Sequence, residues 1–132
     1  MLKIMMIDQD VHQLREISDV LGNGYRLLTC SKGAKAFDLF MAFQPDAVIL
    51  DPSTEGLNAQ EFMAQVRGLS TGFTVPILLL TRFTTIRSIE KILDWGADFI
   101  FSKPFRPGDL KDKLAECLSK SAKFPNPFLA FS

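Results

Sequence analysis

The chain is poor in the residues that announce metal, redox or disulfide chemistry. Its 132 residues include two cysteines and one histidine. Cys30 and Cys117 stand far apart with no C-x-x-C spacing, which argues against a zinc site or a disulfide framework and leaves two reduced packing residues. His12, at the first turn of a helical stretch, reads as a solvated side chain rather than a catalytic base. Charge of one sign is missing too: 15 Lys and Arg balance 15 Asp and Glu, for a net charge of zero. The positive residues are spread along the chain, so neither nucleic acid nor an anionic membrane is an expected partner. No apolar run approaches the roughly 18 residues of a membrane span; VPILLL at 75–80 is about the longest. The N-terminus lacks a basic start followed by a long apolar centre, and Asp8 interrupts it early, unlike a secretory leader. A cytoplasmic domain is the expectation.

What the chain does have is alternation. Strand-length apolar stretches recur as LKIMMI (2–7), YRLLTC (25–30), DAVIL (46–50), VPILLL (75–80) and DFIF (98–101). Three are apolar on both faces, as strands covered by helices on each side must be. Between them run stripes of helical period: Val11, Leu14, Ile17 and Leu21; Phe37, Phe40 and Met41; Phe62, Met63, Val66 and Leu69; Ile86, Ile89, Ile92 and Leu93; Leu110, Leu114, Cys117 and Leu118. Asp10 with Gln13, and Asn58 with Glu61, have the spacing of capping boxes. Gly22 and Gly96 mark helix ends. Strand and helix thus alternate five times, which predicts an α/β fold with one parallel sheet between two helical layers. Residues 1–120 form the expected domain. Residues 121–132, SAKFPNPFLAFS, carry two prolines and three phenylalanines and read as a tail or linker remnant.

In open parallel sheets, sites form beyond the carboxyl ends of the strands. There the chain offers Asp8, Gln9 and Asp10 after the first strand, Asp51 after the third, Thr81 after the fourth and Lys103 after the fifth. Carboxylates gathered at one sheet end repel each other unless a cation intervenes. A hard divalent ion such as Mg²⁺ takes oxygen ligands, often one or two carboxylates, and keeps waters that phosphate oxygens can replace. A lysine and a hydroxyl could hold the remaining phosphoryl oxygens, and a carboxylate in such a setting can itself act as a nucleophile.

With these residues in view, the chain resembles the receiver domains of two-component response regulators over residues 2 to about 119. The pieces that carry the likeness are KIMMIDQD, PDAVILDPSTEG, PILLLT and GADFIFSKPF, in family order and at family spacing. The resemblance implies a flavodoxin-like sandwich with strand order 2-1-3-4-5. It implies that Asp51 is the phosphoacceptor and that Asp8, Asp51 and the Ser53 backbone carbonyl hold Mg²⁺. Thr81 and Lys103 become the groups that contact the phosphoryl oxygens, and Lys103-Pro104 a cis peptide bond. A histidine kinase or phosphotransfer protein is the implied donor. The implied output, to a partner protein or a second copy, is the face made by the fourth helix, fifth strand and fifth helix. The role is a signalling receiver and not a turnover enzyme.

The chain also departs from the family pattern. Gln9 stands where a second acid is usual, with Asp10 beside it as a helper to the metal or, by its D-x-x-Q spacing, a helix cap. Pro52 follows Asp51, Glu55 replaces a proline before Gly56, and Arg82 replaces a small residue after Thr81. Ile100 occupies the position of a switching aromatic; Phe99 and Phe101 flank it on the opposite strand face. Arg82 and Lys103 together could neutralise Asp51 without a metal. The alternative function is therefore a pseudo-receiver, a protein-binding module that works without phosphorylation. Two other readings share pieces of the pattern. The D-x-D start of haloacid-dehalogenase-like phosphatases appears at Asp8, but Asp51 comes before Thr81 and Lys103 and not after them. A flavodoxin would need a hydroxyl- and glycine-rich phosphate loop where Asp8 and Asp10 stand.

Overall fold

The two-faced apolar runs end up where their composition requires, in the middle of a sheet. The computed structural model describes residues 1–70, 74–82 and 85–123. In chain order the elements are β1 (Lys3–Ile7), α1 (Val11–Leu21), β2 (Arg26–Cys30), a short 3₁₀ turn (Gly33–Lys35), α2 (Ala36–Phe43), β3 (Ala47–Leu50), α3 (Ala59–Gly68), β4 (Ile77–Thr81), α4 (Ile86–Asp94), β5 (Phe99–Ser102) and α5 (Pro107–Lys123). The five strands are parallel in the order β2-β1-β3-β4-β5, as expected from the sequence. β1, β3 and β4 are buried almost throughout, while β2 and β5 sit at the edges and are only partly covered.

Strand alternation divides the core into two layers. Ile4, Met6, Ile49, Leu78 and Leu80 face Leu14, Ile17 and Leu21 of α1 and Leu110, Leu114 and Leu118 of α5. Met5, Ile7, Val48, Leu50, Ile77 and Leu79 face Phe40, Phe62, Met63, Val66 and Ile92 of α2, α3 and α4. Ile100 packs with the second layer, and Phe99 and Phe101 with the first, so the three β5 residues divide between faces as expected. Trp95 packs against the α2–α4 layer, and both cysteines are free.

Some members of the expected apolar stripes need correction. Val11 begins the α1 stripe but is 58% exposed, at the first position of the helix and outside the buried set Leu14, Ile17 and Leu21. In α4, Ile92 is the stripe member that is fully buried; Ile86 is 75% and Leu93 46% exposed. Gly22 and Gly96 mark the ends of α1 and α4 as expected, Gly22 as a right-handed C-cap and Gly96 with φ +102°. α2 ends in a left-handed turn at Gln44, φ +52°, whose N–H bonds Phe40 O. α5 continues to Lys123, three residues into the expected tail; the rest of that tail, 124–132, lies outside the described residues.

Candidate functional site

The ladder of main-chain hydrogen bonds carries one residue beyond the strands and so builds a rim. Ile7 lies beside Leu50 in the register of β1 and β3, and Asp51 N donates to Ile7 O at 2.8 Å. Asp8 N donates to Cys30 O at 3.1 Å, and Lys103 N to Thr81 O at 2.8 Å. Asp8, Asp51, Thr81 and Lys103 are therefore brought to the same end of the sheet by backbone pairing, before any side chain acts. Asp8, Asp51 and Thr81 are buried.

The Lys103 ammonium joins the two carboxylates. Its Nζ donates to Asp8 Oδ2 at 2.8 Å and to Asp51 Oδ2 at 2.6 Å, and its side chain is 7% exposed. The other oxygens are also engaged. Asp8 Oδ1 accepts from Asp10 N at 2.9 Å. Asp51 Oδ1 accepts from Ser53 N at 2.8 Å and Ser53 Oγ at 2.7 Å. Thr54 Oγ1 donates to Asp51 O at 2.7 Å. Burial alone would pull the Lys103 pKa down, but the hydrogen bonds and charges of Asp51 and Asp8 outweigh it and raise the pKa above the ordinary lysine value of 10.5. The Lys103-Pro104 bond is cis.

The neighbouring residues divide as follows. Asp10 is the N-cap of α1: its Oδ1 accepts from His12 N and Gln13 N. The Gln13 backbone bond leads in holding this carboxyl below its ordinary pKa. Its own N–H goes to Asp8, so the cap is one-sided and not a reciprocal box. Gln9 does not turn toward Lys103; its Oε1 accepts from Glu55 N at 2.6 Å, across the mouth of the site. Arg82 is exposed, and Asp8 and Asp51 both form their ion pairs with Lys103. His12 is exposed on α1.

Sequence reasoning missed two contacts here. Ser53 touches Asp51 through its hydroxyl and not only through its backbone; a Ser two residues after an Asp, with Thr following, is the signature of a tight side-chain-to-backbone turn and was a usable signal. The Gln9–Glu55 bond spans 46 positions and had no local signal.

The donor set can be tested for a divalent ion. Two carboxylates and one ammonium leave a net charge of −1 in a buried place. Among the described residues no cluster of three or more His, Cys, Asp or Glu gathers here. Two hard oxygen donors with residual negative charge suit an ion that retains much of its water, which is the habit of Mg²⁺. They do not suit a soft or fully protein-caged metal.

A sequence model of the response regulator receiver domain matches residues 4–115. The chain belongs to that family. It is 32% identical over 127 residues to the response regulator MprA of Mycobacterium sp. (strain KMS), covering 96% of this chain and 54% of that one. The chain thus spans about half the length of the curated relatives it matches. In three dimensions it is similar to chemotaxis response regulator CheY4 of Vibrio cholerae, with TM-score 0.81 and 27% identity over 89% of this chain and 98% of that one. It has the same fold as the receiver domain of the Pseudomonas aeruginosa sensor histidine kinase PA1611, solved with a magnesium ion in its active site cleft. That match has TM-score 0.80 and 23% identity over 89% of this chain and 98% of that one. Receiver domains are signalling modules, and among the described residues no helix is long and apolar enough to cross a membrane.

Proposed function

We propose that Asp51 accepts a phosphoryl group from the phosphohistidine of a histidine kinase or phosphotransfer protein, and that acceptance shifts the partner-binding surface of this cytoplasmic receiver. The observation that carries this reading is the buried Asp8–Lys103–Asp51 bridge, which leaves one negative charge uncompensated at the carboxyl end of the sheet. A purely structural ion pair would be neutral. This one retains the charge that draws in a second cation.

Asp8, Asp51 and the Ser53 carbonyl oxygen are the groups that would hold Mg²⁺. The ion, when bound, offsets the negative oxygens of the incoming phosphoryl group. The rest of the work belongs to the chain. The two donors of Ser53 hold Asp51 Oδ1, so the carboxylate has one orientation before the donor arrives. A carboxylate oxygen of Asp51 forms the bond to phosphorus as the P–N bond to the donor imidazole breaks, and the electron pair leaves with that nitrogen. Lys103, already on Asp51 Oδ2, supplies a positive charge beside the developing negative oxygens. Thr81, at the end of β4, offers its hydroxyl on the same rim.

The output is read from α4, β5 and α5. Ile86 and Leu93 are seven positions apart on one helix and both exposed, which supports this face as the place where a partner protein or a second copy docks. Phosphorylation would alter the population of states of that surface. A second reading is favoured by Gln9, whose oxygen is spent on Glu55 and adds no charge to a metal. On that reading the domain binds its partner without phosphorylation, as a pseudo-receiver.

Intact mass after incubation with acetyl phosphate separates the two. The expected result is a gain of one phosphoryl group that needs Mg²⁺ and is absent in Asp51→Asn. No gain in the wild type at saturating Mg²⁺ leaves the pseudo-receiver as the function.

A further inference from the structure

The loop that follows Asp51 is clasped at Glu55. The Glu55 N–H donates to Gln9 Oε1 at 2.6 Å, and the Glu55 carbonyl accepts from Gly33 N at 3.0 Å. The second contact is as close as backbones allow: a Cβ on Gly33 would lie 2.5 Å from Leu57 Cβ and 2.7 Å from Glu55 O, so that position admits only glycine. The loop between β3 and α3 is thus held from one side by the residue after Asp8 and from the other by the turn after β2. Within it, Thr54 N and Leu57 N bond Asp51 O and Thr54 O, which links the clasp to the backbone of Asp51 itself.

Gln9 is exposed, so nothing about burial obliges its side chain to take this position. A long flexible side chain in water gives up rotamer freedom to make one bond. Here it spends that bond on a backbone donor 46 residues away, beside a carboxylate pair that already carries excess negative charge. A carboxylate at this position would bring a third negative charge; an amide brings only the acceptor.

We propose that Gln9 is a positioning residue whose amide oxygen pins Glu55 and fixes the loop behind Asp51, while its lack of charge leaves Asp8 and Asp51 as the only negative groups to meet a divalent cation, beside the Ser53 carbonyl. The first half rests on geometry; the second rests on the metal-assisted reading above.

Four side chains at position 9 separate reach from charge: the wild-type glutamine and the variants Gln9→Ala, Gln9→Asp and Gln9→Glu. Two readouts are needed, the hydrogen exchange of the Glu55 amide without metal, and Mg²⁺ titration followed by backbone amide shifts. Loss of one ordinary hydrogen bond should speed Glu55 exchange by about fivefold in Gln9→Ala and Gln9→Asp, whose side chains fall short. Gln9→Glu, which keeps the reach, should match the wild type. Mg²⁺ affinity should rise about tenfold in Gln9→Asp and Gln9→Glu, which add a charge, and stay unchanged in Gln9→Ala. Unaltered exchange at the Val48 amide in β3 shows that each variant is folded. Glu55 exchange in Gln9→Ala equal to that of the wild type overturns the pinning role. Faster exchange in Gln9→Ala with no Mg²⁺ binding by any variant supports the pinning role and overturns the metal-assisted reading instead.

Discussion

A cation ties elements together at each end of the sheet, Arg67 at one and Lys103 at the other, and the two are used differently. At the amino end, Arg67 of α3 donates to Val75 O, to Gly96 O at 2.7 Å and to Asp98 Oδ2 at 3.0 Å. Asp98 Oδ2 also accepts from Ile77 N at 2.8 Å. One positive and one negative side chain cancel, and two backbone carbonyls also accept from the guanidinium. The result ties α3 to the entry of β4 and to the turn before β5. At the carboxyl end, Lys103 meets two carboxylates and no carbonyl, and the sum is −1. A satisfied clamp holds a fold; an unsatisfied one waits for a further charge. The two also differ in burial: Asp98 is half-exposed, whereas Lys103, Asp8 and Asp51 are buried.

The largest stability effect should come from breaking the carboxyl-end bridge at its cation. Lys103→Met leaves two buried carboxylates facing each other without a counter-charge, and should cost about 3 kcal/mol in urea unfolding without Mg²⁺. Added Mg²⁺ should return part of that loss, because a bound cation replaces the missing charge. A variant whose stability ignores Mg²⁺ would remove the contrast between the two ends. Arg67→Ala tests the other side. It removes bonds to two carbonyls and a half-exposed aspartate, and about 2 kcal/mol is expected, mostly from the carbonyls. Acceptance of a phosphoryl group by Asp51 should be unchanged in Arg67→Ala, and its stability loss should not respond to Mg²⁺.

Which of these features a reader of the sequence could see follows from how far apart their parts lie. The strands were legible because β1, β3 and β4 are apolar on both faces and punctuated by turns; their order came from the resemblance to receiver domains. Asp8, Asp51, Thr81 and Lys103 were legible because a parallel sheet brings strand ends together whatever the loops do. Asp10 as a cap was legible from three residues of spacing, although its N–H goes to Asp8 and not to Gln13. The Arg67 clamp was not, since its partners lie 8, 29 and 31 positions away and two are carbonyls that have no side-chain identity. The exposure of Ile86 was hidden for another reason. Helical period reports that a stripe is apolar, not where the helix begins, and Ile86 is the first residue of α4, directly after its cap Thr85.

The smallest expected effect concerns pH and again sets one end against the other. The folded pKa of Lys103 is raised, so the folded state holds this proton more tightly than the unfolded chain does. The stability contributed by its charge is fully present below the ordinary lysine value of 10.5 and is lost as pH rises through the higher folded value. Without metal, the gap in urea midpoint between wild type and Lys103→Met should stay constant from about pH 7 to about pH 10 and narrow above that range. Guanidinium groups as a class stay protonated there. The gap between wild type and Arg67→Ala should therefore show no such narrowing over the same pH values. If both gaps narrow together, the alkaline loss belongs to the fold as a whole and Lys103 holds no separate share of it.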